Sequence, residues 1–525
     1  MTCVPSLATM SLIPGSICGA LCSSLWILSL IQLFSFQIEN CWGNTDLGLS
    51  SYKFCILNAQ FHLKRNYYGA HDATVILATD YVHIVCRLFI CTPDGARFDR
   101  CVPVDARNSF AIQEDSLVTT DINSGDTAWV LVSTALVLLM TPALAFFYGG
   151  MVRKKNILST LTLSIIMMAV ISLQWVLFGY SLAFGRSVGG IVGGLNFIGF
   201  TGVDAAPNAA YAPTIPHIAF AAYQMMFAVI APALITGAFV ERVRFKAVIV
   251  FALLWATFVY DPVAHWVWGE GGILRRLGAL DFAGGTVVHV TAGMSALAFA
   301  LAIRKRRGYG RISFEPHNIP FTVLGAGLLW VGWFGFNGGS ALGANGLAVT
   351  AVVNTNSAAA AAGLVWTLLS WRDGRPSTLG IVTGAIVGLV AVTPAAGFVT
   401  PIAAMAIGAI AAPASYYMIK LRQYVRLDES LDVFACHGVG GIVGALLTGV
   451  FATTAVNAAG ANGLLAGNAW LIIVQVIGVV AAGAYAFVFT FVVAKILDKV
   501  MGLAVTEPEE EVGLDISEHG ERAYA

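Results

Sequence analysis

Two histidines, His289 and His437, lie within long apolar segments of a chain of 525 residues. Ionisable side chains in such segments are costly in hydrocarbon, and they usually face a bundle interior, a substrate pathway or a proton relay. Burial disfavours the charged imidazolium, so two neutral rings can hydrogen-bond to each other and pass a proton or hold a neutral amine. The alternative for each ring is a buried structural role. Because the two occupy comparable places in the two halves of the chain, a shared functional pair is the favoured interpretation.

The composition indicates the environment that surrounds these histidines. Hydrophobic residues make up 58% of the chain and charged residues only 11%, with a mean hydropathy of +0.78. Soluble domains carry roughly 25% charged residues, so this surface cannot face water on all sides. The formal net charge is zero, which gives no indication of a nucleic-acid partner. The chain is therefore predicted to be an all-α polytopic membrane protein in a lipid bilayer.

Apolar stretches of about twenty residues, each able to cross roughly 30 Å of hydrocarbon, recur about eleven times from Asp126 onward. The predicted spans are 127–148, 158–184, 217–240, 247–268, 285–303, 320–339, 347–371, 378–394, 401–420, 434–453 and 470–497. Two sets of five helices with opposite orientation would form an inverted 5+5 repeat, with the site between the halves and one final helix. A weak sequence similarity between the two halves supports this repeat, because Asp281 precedes His289 in one half and Asp432 precedes His437 in the other.

Basic residues indicate the orientation of these spans. They concentrate in alternate connections, beginning with residues 153–155, while the opposite connections hold only Arg186, Arg275 and Arg276. Since short cytoplasmic loops carry an excess of Lys and Arg, the first span is predicted to begin outside and the C-terminus to lie in the cytoplasm. The predicted location is the plasma or inner membrane of the cell.

The first 120 residues differ from the rest of the chain. An apolar run at 17–36 is long enough for a signal-peptide core or a marginal span, but no Lys or Arg precedes it. Residues 1–120 are interpreted as an extension of unknown role: a leader, an upstream sequence joined to the reading frame, or a domain. Residues 121–503 form the predicted transmembrane domain. The tail at 504–525 is acidic and is typical of a solvated, disordered terminus.

The segment Asp281-Phe-Ala-Gly-Gly-Thr-Val-Val-His289 resembles the signature of the ammonium transporter (Amt/Mep/Rh) family. Further matches follow in order at 147–153, 241–245, 332–337, 392–395, 432–438 and 513–520. The resemblance implies an ammonium-transporter fold of eleven helices, a homotrimer, and one pore per subunit for ammonium or ammonia. It also implies a tail that folds against the cytoplasmic face and couples subunits, and, in bacterial relatives, a PII-type regulatory protein that binds there.

By this resemblance, Trp268, Phe227 and Ser340 form an outer recruitment site. A small cation over aromatic faces gains roughly 0.5–2 kcal/mol. A hydroxyl acceptor adds selectivity, because ammonium donates hydrogen bonds and potassium does not. Without the resemblance, Trp268 would be interpreted as a tryptophan of the membrane interface. Asp281 either assists ammonium electrostatically or caps the fifth helix with its carboxylate.

The resemblance also implies the lining of the pore. Phe227 and Phe336 form a phenyl gate, for which ordinary helix packing is the alternative. Trp333 backs the pore beside His289 and His437. The resemblance implies three further site residues: Tyr223 and Gln224 near the outer site, and Thr393 at the outer side. Neither a metal site nor a cofactor is implied.

The favoured function is ammonium transport: the cation is recruited outside, deprotonated near the gate, and conducted as ammonia past the histidine pair with proton co-transfer. The alternatives are an Rh-like neutral channel for ammonia or carbon dioxide, and an ammonium sensor. Trp268 and Ser340 favour the Amt/Mep branch over the Rh branch, and a sensor would need an attached signalling domain. An enzyme is not expected, because the sequence has no nucleophile elbow, phosphate-binding loop or His-Glu-x-x-His motif.

Overall fold

A computed structural model describes residues 122–524 and, before them, three β-strands. The strands are β1 (Lys53–His62), β2 (His83–Cys91) and β3 (Val102–Val104). They form one antiparallel sheet in which β2 pairs with both neighbours. The three strands and residues 122–524 belong to different units of the chain. The apolar run at 17–36 lies outside the described residues.

The second unit is a bundle of long apolar helices. They are α1 (Ser124–Met151), α2 (Lys154–Phe184), α3 (His217–Thr236), α4 (Phe245–Val267), α5 (Gly285–Ala302), α6 (Ile319–Ala341), α7 (Gly346–Arg372), α8 (Thr378–Val392), α9 (Pro401–Tyr424), α10 (Phe434–Phe451) and α11 (Trp470–Met501). Helices suit hydrocarbon because every backbone hydrogen bond is made within the segment. The predicted all-helical polytopic fold is confirmed.

The eighth helix is shorter than the sequence predicted. In the part of the chain that the structure describes, ten helices of 18 to 32 residues are long and apolar enough to cross a membrane. Helix α8 has 15 residues, about 22 Å at 1.5 Å per residue. It ends at Val392, two residues before Pro394: Thr393 keeps helical backbone angles, but proline has no N–H to continue the helical hydrogen bonds. The predicted end at residue 394 is therefore too late.

Local sequence explains where several helices begin. The side chains of Asn345, Ser377 and Thr400 accept hydrogen bonds from the first free N–H groups of α7, α8 and α9. Short polar side chains at this position satisfy donors that have no partner within the helix. Pro401 occupies the first turn of α9, where its missing N–H costs nothing. These caps fix the residues at which the three helices begin.

Helices α5 and α10 each begin with a π-helical segment and contain one of the two histidines. The π segments are Gly285–Val290 and Phe434–Val439. They carry His289 and His437, and each continues into twelve residues of regular α-helix. Segments of π-helix are rare and occur frequently at functional sites. This repeated construction gives the two halves of the chain one matching element each.

Glycines let α5 and α10 approach each other closely. A Cβ atom at Gly293 would lie 2.1 Å from the backbone nitrogen of Gly438. On the other helix, a Cβ at Gly441 would lie 3.0 Å from the carbonyl oxygen of Gly285. Small residues at such crossings allow backbone-to-backbone contact between membrane helices. The two histidine-bearing segments are therefore held side by side.

A carboxylate lies at the start of each of these two helices, and the second one is not the residue that the sequence predicted. Asp281 accepts hydrogen bonds at the start of α5. At the start of α10, Glu429 accepts one from the N–H of Phe434, whereas Asp432 pairs with Arg422 at 2.5 Å. In the structure, the counterpart of Asp281 in the second half is therefore Glu429. Glu429 stands eight residues before His437, as Asp281 does before His289, whereas Asp432 stands only five residues before His437.

The C-terminal tail is folded against the bundle, in contrast to the disordered terminus that its composition suggested. It forms two short helices, α12 (Glu507–Val512) and α13 (Leu514–His519). Asp515 accepts a hydrogen bond from the N–H of Ser159 in α2, and Glu518 accepts one from the N–H of Phe245 in α4. The tail thus supplies anionic caps to the N-termini of two membrane helices, where negative charge is favourable.

Candidate functional site

A column of aromatic rings leads from an open cavity to the buried histidines. The ring centroid of Phe227 lies 6.1 Å from that of Trp268 and 4.2 Å from that of Phe336. The ring of Phe336 in turn lies 5.9 Å from that of His289. Both phenylalanines are fully buried. The rings of the two predicted gate residues therefore contact each other. They lie between Trp268 on one side and the histidines on the other.

The cavity at the open end of this column has a volume of about 210 Å³. Its walls contain Trp268, Phe227, Ser340 and Gln224, all of which the sequence placed in or near the outer site. The rest of the wall is formed by residues that were not predicted from the sequence to line the site: Phe184, Ala210, Tyr211, Phe220, Val267, Arg275, Phe282 and Leu342. Most of them are apolar or aromatic. The cavity is thus a concave aromatic surface with a few polar groups.

The indole of Trp268 is held in place by backbone contacts. Its Nε1 donates a hydrogen bond to the carbonyl oxygen of Asp281, at 2.9 Å. The carbonyl oxygen of Trp268 accepts one from the guanidinium of Arg275, at 2.7 Å. A tryptophan of the membrane interface would direct its N–H toward lipid headgroups or water. Because this N–H is used inside the protein, the ring is oriented along the cavity wall.

Polar atoms around Ser340 supply acceptors to the cavity. The Ser340 hydroxyl donates to the carbonyl oxygen of Phe336 at 2.9 Å, which leaves its lone pairs free to accept. The Tyr223 hydroxyl lies 3.2 Å from Ser340 Oγ and 2.8 Å from the same carbonyl oxygen, so Tyr223 positions the serine from behind. The amide Oε1 of Gln224 is buried and has no partner within residues 122–524. These oxygens suit a small cation that donates hydrogen bonds.

Asp281 is occupied as a helix cap. Its two carboxylate oxygens accept four backbone N–H bonds of 2.7–3.1 Å, from Gly284, Gly285, Thr286 and Val287. Such a carboxylate has little remaining capacity to bind a ligand directly. Of the two roles predicted for Asp281, the geometry favours the cap. Through its own carbonyl oxygen it also orients Trp268.

The histidine pair lies beyond the phenylalanines. Nδ1 of His289 and Nδ1 of His437 are 3.3 Å apart, and both residues are buried. One nitrogen must donate and the other accept, so the two rings share a single proton across this contact. Nε2 of His289 is buried without a partner among the described residues. The pair therefore forms a short polar bridge between α5 and α10.

A small cavity lies against the two imidazoles. It has a volume of about 10 Å³ for a water-sized molecule, close to the minimum that one water requires. Its walls are His289, His437, Trp333 and Phe336, together with aliphatic or thioether side chains of Met140, Leu144, Ile230, Leu234, Leu329 and Ile386. A molecule of the size of ammonia fits this space, with the imidazoles as its polar neighbours.

Trp333 fixes one face of the pair. Its ring stacks on His289 with centroids 5.4 Å apart at an interplanar angle of 28°. Its Nε1 donates to the hydroxyl of Thr393 at 2.9 Å, and that hydroxyl donates to the carbonyl oxygen of Leu389 at 2.7 Å. Thr393 is fully buried and lies behind Trp333, not in the wall of the outer cavity where the sequence placed it.

Sequence reasoning missed a cluster of buried charges in the loops at the opposite end. Arg306 bonds to Glu241 and to Asp428, each at 2.7 Å, and Arg242 bonds to Asp428 at 3.1 Å. Burial opposes the charge of Glu241, but Arg306 and Arg153 outweigh it and lower the pKa of that carboxyl. Glu241 and Arg242 belong to a motif that resembles the family pattern, which was the available signal. Their distant partners were not visible in the sequence.

Comparison with known proteins places this site in a family. The sequence profile of the Ammonium Transporter Family matches residues 128–524. Ammonium transporter Amt1 of Archaeoglobus fulgidus is 49% identical over 403 residues, which cover 77% of this chain and all of that protein. An ammonium transporter of Bacillus subtilis is 50% identical over 402 residues, covering 76% of this chain and 98% of that protein.

A solved structure agrees with the sequence comparisons. The crystal structure of Saccharomyces cerevisiae Mep2 is 37% identical in sequence and superimposes with a TM-score of 0.70, over 74% of this chain and 88% of Mep2. The aromatic column, both histidines and the folded tail all lie within the segment that the family profile matches. The chain is a member of the ammonium transporter family, a multi-pass membrane protein related to the Amt and Mep transporters and not an enzyme.

Proposed function

We propose that this protein transports ammonium by recruiting the cation at the outer cavity, deprotonating it, and conducting ammonia past His289 and His437 while the proton follows through the same pair. The observation that carries the proposal is the continuous line of contacts from Trp268 through Phe227 and Phe336 to the imidazoles. Family membership supports ammonium as the substrate.

Recruitment follows from the chemistry of the cavity. Aromatic faces attract a small cation by roughly 0.5–2 kcal/mol, and potassium gains this as well as ammonium does. The oxygens of Ser340 and Gln224 separate the two ions, because only ammonium donates hydrogen bonds. Arg275 also borders the cavity, and its positive charge opposes the binding of cations, so the aromatic faces and oxygens must outweigh it.

Deprotonation follows from the gate. The centroids of Phe227 and Phe336 lie 4.2 Å apart, so the rings must move apart to admit even ammonia. A charged ion beyond them would lose its water without gaining a counter-charge, which is strongly unfavourable. Ammonia is neutral and pays a much smaller desolvation cost. The gate therefore favours loss of a proton before passage.

Proton co-transfer follows from the geometry of the histidine pair. The two Nδ1 atoms already share one proton at 3.3 Å. The free Nε2 of His289 is positioned to accept a second proton from the gate side, while His437 releases one on the far side. Each imidazole returns to a neutral form after the transfer. Rh-like neutral conduction is the alternative, in which this exchange does not occur.

The proposal also includes the membrane location and the orientation of the transporter. The excess of basic residues in alternate loops supports an outer cavity that faces the exterior and a tail in the cytoplasm. The protein is then a transporter of the plasma or inner membrane. A homotrimer, and a PII-type regulator at the face that holds the tail, complete the proposal by resemblance to the family.

Substitution of His289 by Ala tests the relay. The expected result is a folded protein whose ammonium-evoked current in proteoliposomes falls at least about tenfold, because an apolar side chain cannot exchange a proton. His317→Ala is the matched control, since His317 lies outside the column and contacts Val152 and Tyr524. Wild-type current in the His289 variant would refute the relay. A wild-type protein that only alkalinises the vesicle lumen, without current, would support neutral conduction.

A further inference from the structure

Glu429 is a buried carboxyl group that the transport steps above do not use. It lies in the connection between α9 and α10 and is 0% exposed. Its Oε1 accepts a hydrogen bond of 3.0 Å from the N–H of Phe434, the first residue of the π segment that carries His437. Its Oε2 is buried and has no hydrogen-bond partner among the described residues. A buried polar atom without a partner requires an explanation.

Comparison with Asp281 shows what is unusual about Glu429. The two carboxylates occupy matching positions at the starts of α5 and α10. Both oxygens of Asp281 are saturated by four N–H donors, so the whole carboxylate serves as the cap. Glu429 keeps one oxygen for its cap and leaves the other unbonded. A cap alone would not need this second, open oxygen.

We infer that Glu429 is the acceptor that takes the proton from the histidine pair toward the end of the pore opposite the Trp268 cavity. The inference rests on the proton co-transfer proposed above. One turn of helix, about 5 Å along the axis, separates Phe434 from His437, so the transfer is proposed to run through a bridging water. The N–H bond of the imidazolium breaks, and an O–H bond forms at Oε2 of Glu429. The carboxylic acid then loses this proton to solvent, which returns Glu429 to the carboxylate and leaves the imidazoles neutral.

The groups around Glu429 suit reversible protonation. Burial and then the nearby Asp432 raise the pKa of Glu429 well above the ordinary value for a glutamate, while the N–H of Phe434 and the charge of Arg422 oppose that rise. Tyr148 and Cys436 are the other titratable groups near enough to interact with it electrostatically. A carboxyl in this setting binds a proton more readily than an ordinary glutamate and can release it again.

Two substitutions separate proton acceptance from capping. Glu429→Gln keeps an oxygen for the Phe434 N–H but cannot accept a proton, whereas Glu429→Asp keeps an acid. Purified wild-type and variant proteins are reconstituted in proteoliposomes, and the current and the lumenal pH are recorded after an ammonium jump. Glu507→Gln, at the exposed start of α12, is the matched control for loss of one acidic residue.

The expected result for Glu429→Gln is a current reduced at least about tenfold together with new alkalinisation of the lumen, because ammonia still passes without its proton. Glu429→Asp is expected to restore the current with a shifted pH profile. Wild-type current in Glu429→Gln, or loss of both signals in a folded variant, overturns the inference. If Glu429→Gln does not fold, an unchanged pH profile in Glu429→Asp overturns it. Absence of current in the wild-type protein would instead contradict the proposed co-transfer.

Discussion

In the proposed mechanism, selectivity depends on single residues that line the Trp268 cavity. The aromatic faces of Trp268 and Phe227 attract any small cation, whereas the Ser340 oxygen interacts only with one that donates hydrogen bonds. The backbone contacts that orient Trp268 and the Tyr223 hydroxyl behind Ser340 keep both groups in place before the ion arrives. Such preorganisation reduces the entropy that binding would otherwise cost.

Trp268→Leu should weaken recruitment. Loss of roughly 0.5–2 kcal/mol of cation–π attraction raises the ammonium concentration for half-maximal transport by about 2- to 30-fold, with a smaller effect on the maximal rate. Trp470→Leu is the control, because Trp470 is exposed at the start of α11. The concentration dependence of transport in proteoliposomes is the measurement, and an unchanged half-maximal concentration would remove Trp268 from the recruitment site.

Thr393→Val should disturb the ring that stacks on His289. Valine has nearly the shape of threonine but leaves the buried Nε1–H of Trp333 without an acceptor, at a cost of about 1–3 kcal/mol. The matched control is Thr448→Val, because the Thr448 hydroxyl bonds only to a carbonyl of its own helix. Thermal unfolding in detergent should show a lower midpoint for the Thr393 variant than for the control. Equal midpoints would show that the Trp333–Thr393 bond contributes nothing.

At the scale of elements, the contact between α5 and α10 positions the histidine pair. Both helices start with a π segment, and glycines remove the side chains that would separate them. The distance between the two Nδ1 atoms therefore depends on backbone packing. A shift of one helix by far less than its own radius would break the hydrogen bond between the two Nδ1 atoms, because the strength of a hydrogen bond falls steeply beyond its normal length.

Gly293→Ala should separate these helices. The added methyl would lie 2.1 Å from the Gly438 nitrogen, so the backbones must shift, at a cost of about 1–3 kcal/mol. Gly327→Ala is the control: a Cβ there meets no atom within 4 Å, and alanine favours the helix by about 0.5–1 kcal/mol. Lower stability and current for Gly293→Ala alone are expected. If the two variants behave alike, close packing does not position the pair.

The helices were predictable from sequence because length and hydropathy suffice in a membrane. Their internal geometry was not. The sequence predicted a span to residue 394, although Pro394 ends α8 earlier. It also related Asp281 to Asp432, although the hydrogen-bonding counterpart is Glu429. Both differences depend on local backbone geometry, which hydropathy does not report.

At the scale of the whole molecule, the loops and the tail join at one face. Asp515 and Glu518 cap α2 and α4, and Glu510 pairs with Arg304 and accepts from the backbone of Arg307. A segment with this acidic composition would ordinarily be disordered in solution. Here its carboxylates are matched to free helix N-termini and arginines. Sequence composition could not reveal this match, since the partners are more than 200 residues away.

Asp515→Ala should loosen the tail and lower stability. The variant removes the acceptor for the Ser159 N–H, and loss of a helix cap costs about 0.5–2 kcal/mol. Glu507→Ala, at the exposed start of α12, is the control. Limited proteolysis should cut the C-terminal tail faster in the Asp515 variant than in the control. Equal protection would show that the cap does not hold the tail.

The buried ion pairs at this face should make the protein sensitive to acid. The pKa values of Glu241 and Asp428 are lowered because nearby arginines outweigh the effect of burial. A carboxyl with a lowered pKa in the folded state contributes stability above its unfolded pKa of about 4 and loses it as pH falls further. The unfolding midpoint should therefore decline below about pH 4. Glu241→Gln should weaken that decline, and an identical decline in the variant would contradict the assignment.

The aromatic residues and histidines of the site were predictable, because the motifs around Asp281, Trp333 and His437 resemble family patterns. Their contacts were not predictable. Thr393 was placed at the outer side, yet its hydroxyl supports Trp333 from behind. A motif reports which residues are near a site, whereas a hydrogen bond between α6 and the end of α8 depends on packing. The ion pairs around Arg306 also depend on packing and were not predictable for the same reason.

The central claim is that ammonium crosses as ammonia and a proton through one column of residues. The most direct measurement is the current from proteoliposomes after an ammonium jump, with methylammonium and potassium as comparisons and lumenal pH recorded in parallel. The account predicts an inward current for ammonium, a smaller one for methylammonium, none for potassium, and little alkalinisation. Lumenal alkalinisation without current would contradict proton co-transfer, and a potassium current equal to that of ammonium would contradict the selectivity assigned to the outer cavity.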